Sequence, residues 1–366
     1  MKPVAAGGQG AERPVLFVTG HAPPDRIGAF AALHAREEIE VALFGGRYAH
    51  GAVDAAELAV PHRRVAQREV FALAASGRYR AVVCGTGGRV ALPAAWAGAR
   101  RGGVPFVLWS SLWAHPRTAA HLASAVAFRR LYRTADAVVT YGPHVTKYVT
   151  ARGGLNVHEA PQAVDNGFWS VGAGERLRAK SKKSFTVLFV GRPVWEKGQR
   201  VLFEAWRTSG CRALEAALVL VGEGPTPPWV PAGGAVTSHP PVGAHELRNF
   251  YGAADVLVVP SIPTRRFREP WGLVVNEAMN QQLPIISSDA VGAAAGGLVR
   301  HERNGLIVPA GEPEALAAAI VRLAGDADMR AALGSAGARD VGAYTYGAWA
   351  AGFSSALSSA GAGRGT

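Results

Sequence analysis

Residues 267–284 read Phe267-Arg268-Glu269-Pro270-Trp271-Gly272-Leu273-Val274-Val275-Asn276-Glu277-Ala278-Met279-Asn280-Gln281-Gln282-Leu283-Pro284. One short apolar run, Val256–Val259, stands before this stretch, and another, Pro284–Ile286, ends it. Pro270 suits a first helical position, where a missing N–H costs nothing. Pro284 cannot continue a helix. The pattern therefore predicts a helix from about Pro270 to Gln282 between two strands. Glu269 then stands at the helix entrance and Glu277 eight residues later, a rise of ~12 Å if every residue between them is helical. Between the two acids lie the amides of Gly272, Leu273 and Val274. Amides at a helix start have no intrahelical acceptor, and they sit at the positive end of the helix dipole. Gly272, without a Cβ, lets an anion approach the backbone.

The same alternation extends outward in both directions. Strand candidates in the second half are Thr186–Val190, Ala217–Val221, Val256–Val259, Pro284–Ile286 and Gly305–Val308, with helices at Gln199–Trp206, His245–Gly252 and Glu312–Ala324. In the first half they are Val15–Thr19, Glu40–Phe44, Ala81–Cys84, Phe106–Trp109 and Ala137–Thr140, with helices at Ile27–Ala35 and Val65–Ala75. Near-continuous apolar strands alternating with helices mean parallel sheets covered on both faces. A chain of 366 residues is long for one such sheet, and domains of roughly 100–200 residues favour two. The expected class is α/β, with two Rossmann-like doubly wound domains facing across a cleft. We place an N-terminal domain at 1–170 and a polar, Gly- and Lys/Arg-rich linker at 171–184. A C-terminal domain follows at 185–345. Residues 346–366 are read as a helix returning to the N-terminal domain and then a frayed tail. Ligands of doubly wound sheets bind at the carboxyl ends of the strands, so chemistry is sought there.

Composition narrows the function classes. Apolar residues make up 49% and charged residues 18%, enough for a large core and too apolar for wholesale disorder. No apolar run reaches the ~18–20 residues of a membrane span, and the first residues lack the apolar core of a secretory signal, so a cytoplasmic location is expected. The 2 cysteines, Cys84 and Cys211, exclude a disulfide framework and a cysteine-rich zinc site. The net charge is +12, concentrated in residues 1–160, where 19 Lys/Arg face 10 Asp/Glu. Such a basic half suits an anionic partner. Basic residues interleaved with aromatics are sparse, which argues against nucleic acid. Ala127-Phe128-Arg129-Arg130-Leu131-Tyr132-Arg133 has the pattern of a basic amphipathic helix, suited to an anionic membrane surface or to solvent.

Carboxylate, anion-binding amides, carboxylate is the order of groups a nucleotide sugar would need: sugar hydroxyls, diphosphate, ribose hydroxyls. Two acids beside a diphosphate repel it unless cations are supplied. A cationic loop follows strand Thr186–Val190, reading Gly191-Arg192-Pro193-Val194-Trp195-Glu196-Lys197-Gly198. Gly191 permits a tight strand exit, while Arg192 and Lys197 suit phosphate oxygens as a fork and a point charge. Trp195 is placed to cover one side of the pocket.

With these residues in view, the stretch from about Pro161 to Gly342 resembles the family 4 retaining glycosyltransferases (glycosyl transferases group 1), of GT-B fold. The resemblance rests on Glu269…Glu277, the Gly191–Gly198 loop, Val-Gly-Glu-Gly-Pro at 221–225, Ala-Asp-Val-Leu-Val-Val-Pro-Ser at 254–261, Asn-Gly-Leu-Ile-Val-Pro at 304–309, and Val164-Asp165-Asn166-Gly167-Phe168 at the inter-domain crossing. It implies that Glu269 contacts the donor sugar, Glu277 the ribose, and Arg192 and Lys197 the diphosphate. The chain departs from the family at Gln282, where a Gly is frequent, and at Gly297, where an acid often precedes Leu-Val. Arg265-Arg266-Phe267-Arg268 also lengthens the loop into Glu269.

The implied activity is transfer of a sugar from a nucleotide-diphosphate donor to a hydroxyl of a glycan, lipid-linked or natural-product acceptor, with retention. No cofactor is expected beyond the nucleotide sugar as co-substrate. No metal is expected either, because Arg192 and Lys197 supply the charge a metal would. Asp326-Ala327-Asp328 matches an Asp-x-Asp metal motif, but it reads better as the cap of a helix over Met329–Leu333. On the acceptor side the candidates are His21, Asp25 and Gly28 after the first strand, and His115 after strand Phe106–Trp109, where family members often place an active-site His. Competing readings are a GT-B nucleotide-sugar epimerase and a non-catalytic GT-B subunit. A phosphorylase would need a pyridoxal-binding Lys and a much longer chain. A dinucleotide-dependent dehydrogenase would need Gly-x-Gly-x-x-Gly after a strand, and none is present.

Overall fold

The computed structural model describes residues 13–45, 58–170, 185–210, 216–222 and 235–363, with the side chains of 119–123 excepted. The linker placed at 171–184, Cys211, residues 223–225 of the Val-Gly-Glu-Gly-Pro turn and the last three residues lie outside them.

Two wholly parallel sheets form two lobes. The N-terminal sheet holds β1 (Val15–Thr19), β2 (Ile39–Leu43), β3 (His62–Arg64), β4 (Ala81–Gly85), β5 (Phe106–Ser110), β6 (Ala137–Thr140) and β7 (Val157–Glu159). Their spatial order is β3-β2-β1-β4-β5-β6-β7. The C-terminal sheet holds β8 (Thr186–Val190), β9 (Ala217–Val221), β10 (Val236–His239), β11 (Val256–Val259), β12 (Ile285–Ser288) and β13 (Gly305–Val308), in the order β10-β9-β8-β11-β12-β13. In both lobes the order reverses beside the first strand, which leaves a crevice at the carboxyl ends of the flanking strands. The central strands VLFVT, IEVAL, AVVCG and FVLWS are buried almost throughout, because helices cover both faces of each sheet. Every strand read from the sequence is present to within a residue or two. The unread strands β3, β7 and β10 all lie at sheet edges, with half-exposed sequences HRR, VHE and VTSH.

The chain crosses between lobes after β7. Ala160 is packed in the N-terminal core and Val164 in the C-terminal core. Between them Gln162 is fully buried. Its side-chain oxygen accepts from Arg26, and its carbonyl accepts from Asn276 Nδ2 at 2.9 Å. The last helix, Tyr346–Ser359, lies in the N-terminal lobe, where Trp349 and Phe353 pack among Phe17, Phe30 and Trp109. Thr345 caps this helix by accepting from the Ala348 N–H at 3.0 Å. Asp326 likewise caps a helix, accepting from the Met329 N–H at 2.7 Å; that helix runs over Ala327–Val341, well past the expected Leu333. The expected helix over Val65–Ala75 is a 3₁₀ turn, Gln67–Glu69, joined to a short helix, Val70–Ala74. Among the described residues no helix is long and apolar enough to cross a membrane.

Candidate functional site

The loop after β8 and the end of β11 are locked together by glycine geometry. Gly198 has φ +70°, and a Cβ there would stand 1.9 Å from the Pro260 carbonyl oxygen. The Ile262 N–H donates to the Glu196 carbonyl at 2.9 Å. Beside them Gly222, at the end of β9, approaches so closely that its Cβ would meet the Gly191 oxygen at 2.7 Å. Three consecutive strand ends thus meet at one sheet edge. Across this seam Lys197 Nζ reaches Glu269 Oε2 at 2.5 Å, and Ser261 Oγ lies 3.3 Å from the same oxygen. The Lys197 side chain is 21% exposed and that of Glu269 8%. Arg192 is exposed and makes no ion pair among the described residues. Trp195 is 61% exposed, with the Arg200 guanidinium 5.5 Å from its ring.

The expected helix from Pro270 to Gln282 is shorter, covering Val274–Asn280. Glu269 to Trp271 are instead laid against Val291–Ala293. Gly292 N–H donates to the Glu269 carbonyl at 3.1 Å and Ala293 N–H to that of Trp271 at 2.8 Å. Gly292 makes this possible, since a Cβ there would meet the Pro270 oxygen at 1.9 Å. Gly272, at φ +92°, then turns the chain into the helix. Pro270 is therefore not the first helical residue, and the 12 Å rise between the acids does not apply. Leu273 and Val274 remain at the helix start, where their amides lack intrahelical acceptors.

Glu277 lies in the first turn of this helix, and Tyr251 OH donates to its Oε2 at 2.6 Å. Burial pushes the Glu277 carboxyl up to about 7, against the opposing pull of the Tyr251 hydrogen bond, and the charge of Asp25 from the other lobe pushes it the same way as burial. Tyr251 itself is held well above its ordinary value by burial first and by Glu277 second.

The N-terminal lobe presents the loop after β5. Trp113 Nε1 donates to the Glu269 carbonyl at 3.0 Å, which places Glu269 at the boundary between lobes. His115 lines a cleft of about 400 Å³ with Arg117 and with Pro263–Arg268 of the other lobe, its ring edge-on to Phe128 at 5.9 Å. Asp25 lies in the first turn of the helix Pro24–Glu37 and pairs with Arg26 at 3.6 Å. Gly28 has a packing role, since a Cβ there would overlap the Tyr346 ring at 2.2 Å. His21 packs where a Cβ on Gly45 would meet its ring at 2.6 Å.

Several contact residues were not singled out in the sequence. His144 Nε2 lies 3.1 Å from the Pro270 carbonyl, its ring wedged between Trp113 and Trp271, and burial lowers its basicity. Tyr251 and Ser261 hold the two acids. Ser261 follows β11 directly and could have been found as a polar residue at a strand end. Tyr251 and His144 sit inside helical patterns and carry no such signal.

Residues 184–326 match the family model described as glycosyl transferases group 1. That match covers most of the C-terminal lobe, which resembles a group 1 glycosyl transferase domain. Over 106 residues the chain is 39% identical to the D-inositol 3-phosphate glycosyltransferase of Streptomyces griseus, a stretch covering 28% of this chain and 20% of that relative. The matched stretch thus spans about a fifth of the relative's length. Likeness of fold extends over both lobes. Anabaena HepE in complex with UDP-glucose superposes with a TM-score of 0.73 at 18% identity, covering 94% of this chain and 99% of that one. The sucrose-phosphate synthase of Thermosynechococcus elongatus superposes with a TM-score of 0.70 at 20% identity, covering 93% and 97%. The two lobes have the GT-B fold.

Proposed function

We propose that the protein transfers a sugar from a nucleotide-diphosphate donor to a hydroxyl of a glycan, lipid-linked or natural-product acceptor, with retention of anomeric configuration and without a metal. The observation that carries this reading is the Lys197–Glu269 pair at 2.5 Å, set where strand ends, an amide-bearing helix start and the opposite lobe converge. The N-terminal lobe, with His115 and Asp25, binds the acceptor. In this reading Glu269 accepts hydrogen bonds from donor-sugar hydroxyls and Glu277 from the ribose, while Arg192, Lys197 and the amides of Leu273 and Val274 face the diphosphate. Anabaena HepE, whose fold is shared, has been crystallised with UDP-glucose, and a donor of that class suits these groups.

The acceptor oxygen bonds to the anomeric carbon as the bond from that carbon to the diphosphate breaks. The hydroxyl proton passes to the departing diphosphate, which leaves as the nucleoside diphosphate. Negative charge grows on the leaving oxygen, where fixed cations and amides stabilise it most. An epimerase would release nucleotide without an acceptor product, and a non-catalytic subunit would not need the two acids and two cations together. The basic stretch 127–133 belongs to the helix Ala119–Thr134, which buries Leu131 and Tyr132 and exposes Arg129, Arg130 and Arg133 beside Val126. We assign that face to an anionic membrane surface reached from the cytoplasm; failure to sediment with anionic vesicles would remove it.

A donor screen tests the whole reading. Purified protein is incubated with nucleotide sugars and candidate alcohols, and free nucleotide and product mass are measured with and without a chelator. Turnover that survives chelation is expected. Absolute dependence on manganese would overturn the metal-independent assignment, and absence of any nucleotide release would overturn the transferase.

A further inference from the structure

The cleft between the lobes contains a cationic cluster that the donor site does not use. Arg117 comes from the loop after β5, and Arg265, Arg266 and Arg268 come from the loop after β11. Among the described residues no Asp or Glu lines this cleft, and none of the four guanidinium groups forms an ion pair. Arg268 is held in place: its guanidinium lies 4.2 Å from the centre of the Trp113 ring, and its Nε is buried without an acceptor. The loop itself is braced, because Thr264 Oγ1 accepts from the N–H groups of Phe267 at 2.9 Å and Arg266 at 3.2 Å. Arg117 N–H donates to the Arg265 carbonyl at 2.6 Å, joining the two lobes across the cleft. Four like charges gathered in a braced pocket repel one another, and a bound anion relieves that repulsion.

We propose that this pocket binds a phosphate ester carried by the acceptor. A phosphomonoester brings close to two negative charges and three acceptor oxygens, which guanidinium forks engage in pairs. A carboxylate brings one charge, too little for four cations. Arg268 adjoins Glu269 in the chain, and Trp113 touches both Arg268 and the Glu269 carbonyl. An acceptor anchored here by its phosphate presents its hydroxyl next to the acid assigned to the donor sugar, so the inference deepens the transfer reading and rests on it. The phosphate is an anchor only and is not itself transferred.

The test uses the full chain and the double variant Arg265→Gln/Arg266→Gln, two exposed positions whose loss leaves the fold intact. Binding of inorganic phosphate is measured by calorimetry, with and without a saturating nucleoside diphosphate, and nucleoside diphosphate binding is measured separately. The expected result is saturable phosphate binding that persists beside the nucleotide and weakens about tenfold or more in the variant, with nucleotide affinity unchanged. Phosphate binding without nucleotide binding supports this pocket and counts only against the donor assignment. Unchanged phosphate affinity in the variant, competition between phosphate and nucleotide for one site, or no saturable binding at millimolar phosphate overturns the proposal. In a transfer assay, soluble sugar phosphates are compared with their unphosphorylated parents and with phosphorylated lipid acceptors in vesicles. A variant that raises KM for a phosphorylated acceptor alone supports the pocket, and equal loss on both classes overturns it. Which phosphorylated class responds identifies the source of the ester.

Discussion

Lys197 Nζ and Glu269 Oε2 are 2.5 Å apart although their residues lie in different loops, one after β8 and one beyond β11. Each neutralises the other, so neither is a buried bare charge. A donor that inserts a diphosphate on one side and sugar hydroxyls on the other replaces this contact with two new ones. Lys197→Ala should lower transfer by ~10²-fold or more, as loss of one oxyanion donor does elsewhere. It should also destabilise the fold, because it leaves Glu269 nearly buried and unpaired. The double variant Lys197→Ala/Glu269→Ala should regain part of that stability and none of the transfer. Denaturant midpoints and single-turnover rates on the four proteins of this cycle separate the two effects. Recovery of transfer in the double variant would dismiss the catalytic assignment of both residues.

Gly198 holds the loop that carries Lys197 against the Pro260 carbonyl. A methyl group there meets backbone at 1.9 Å and forces φ +70° on a residue that resists it. Gly198→Ala should therefore displace the loop and destabilise the protein by at least about 1–2 kcal/mol. Nucleotide affinity should fall with it, whereas Gly210→Ala, at a similar φ but in open space, should cost stability without that loss. Thermal melts with and without nucleoside diphosphate distinguish the two. Equal ligand-induced shifts in both variants would show that the loop does not touch the nucleotide.

The central strands of both sheets were legible because burial on two faces demands unbroken apolar runs such as VLFVT and TVLFV. The edge strands β3, β7 and β10 were not, because one side faces solvent and HRR or VTSH carries no apolar run. The acids and cations of the candidate site were legible as residue types at strand ends. Their joining was not, since the Lys197–Glu269 contact depends on Gly198 and Gly292, whose missing Cβ atoms matter only once the loops meet. The helix start was misplaced because Pro270 fits two roles and Gly272 decides between them by its positive φ. Gln282 departs from the family's frequent Gly yet takes φ +54°. The backbone there keeps the conformation a Gly favours.

The last helix completes the N-terminal core from the far end of the chain. Trp349 is fully buried and packs on Phe353 at 4.4 Å between ring centres, and on Phe30 and Trp109 at 5.9 Å. Trp349→Ala should cost roughly 3–5 kcal/mol. Its Nε1 is buried with no acceptor, so Trp349→Phe removes an unmet N–H along with volume and should cost markedly less. Equilibrium denaturation of the two variants checks the order. If Trp349→Ala proved neutral, the helix would not be part of this core.

Glu277 gives the site a pH response whose sign can be worked out. Burial holds its carboxyl at about 7, above the ordinary value of 4.5. The folded protein thus keeps a proton that the unfolded chain releases. Its contribution to stability is complete below about pH 4.5 and is lost as pH rises through about 7. Ribose hydroxyls donate to a carboxylate better than to a carboxylic acid, so donor binding should expel this proton. Affinity should then rise with pH up to about 7 and level off above it, and near pH 6 it should be roughly tenfold below the plateau. A nucleotide sugar is the ligand of choice, because its diphosphate lacks a terminal ionisation in this range. Tyr251→Phe removes the hydrogen bond that favours the charged carboxyl, so the midpoint should move to higher pH. Glu277→Gln should bind more weakly and flatten the profile. Calorimetry in buffers of different ionisation enthalpy counts the released proton directly. A flat wild-type profile with no proton release would place the ribose elsewhere.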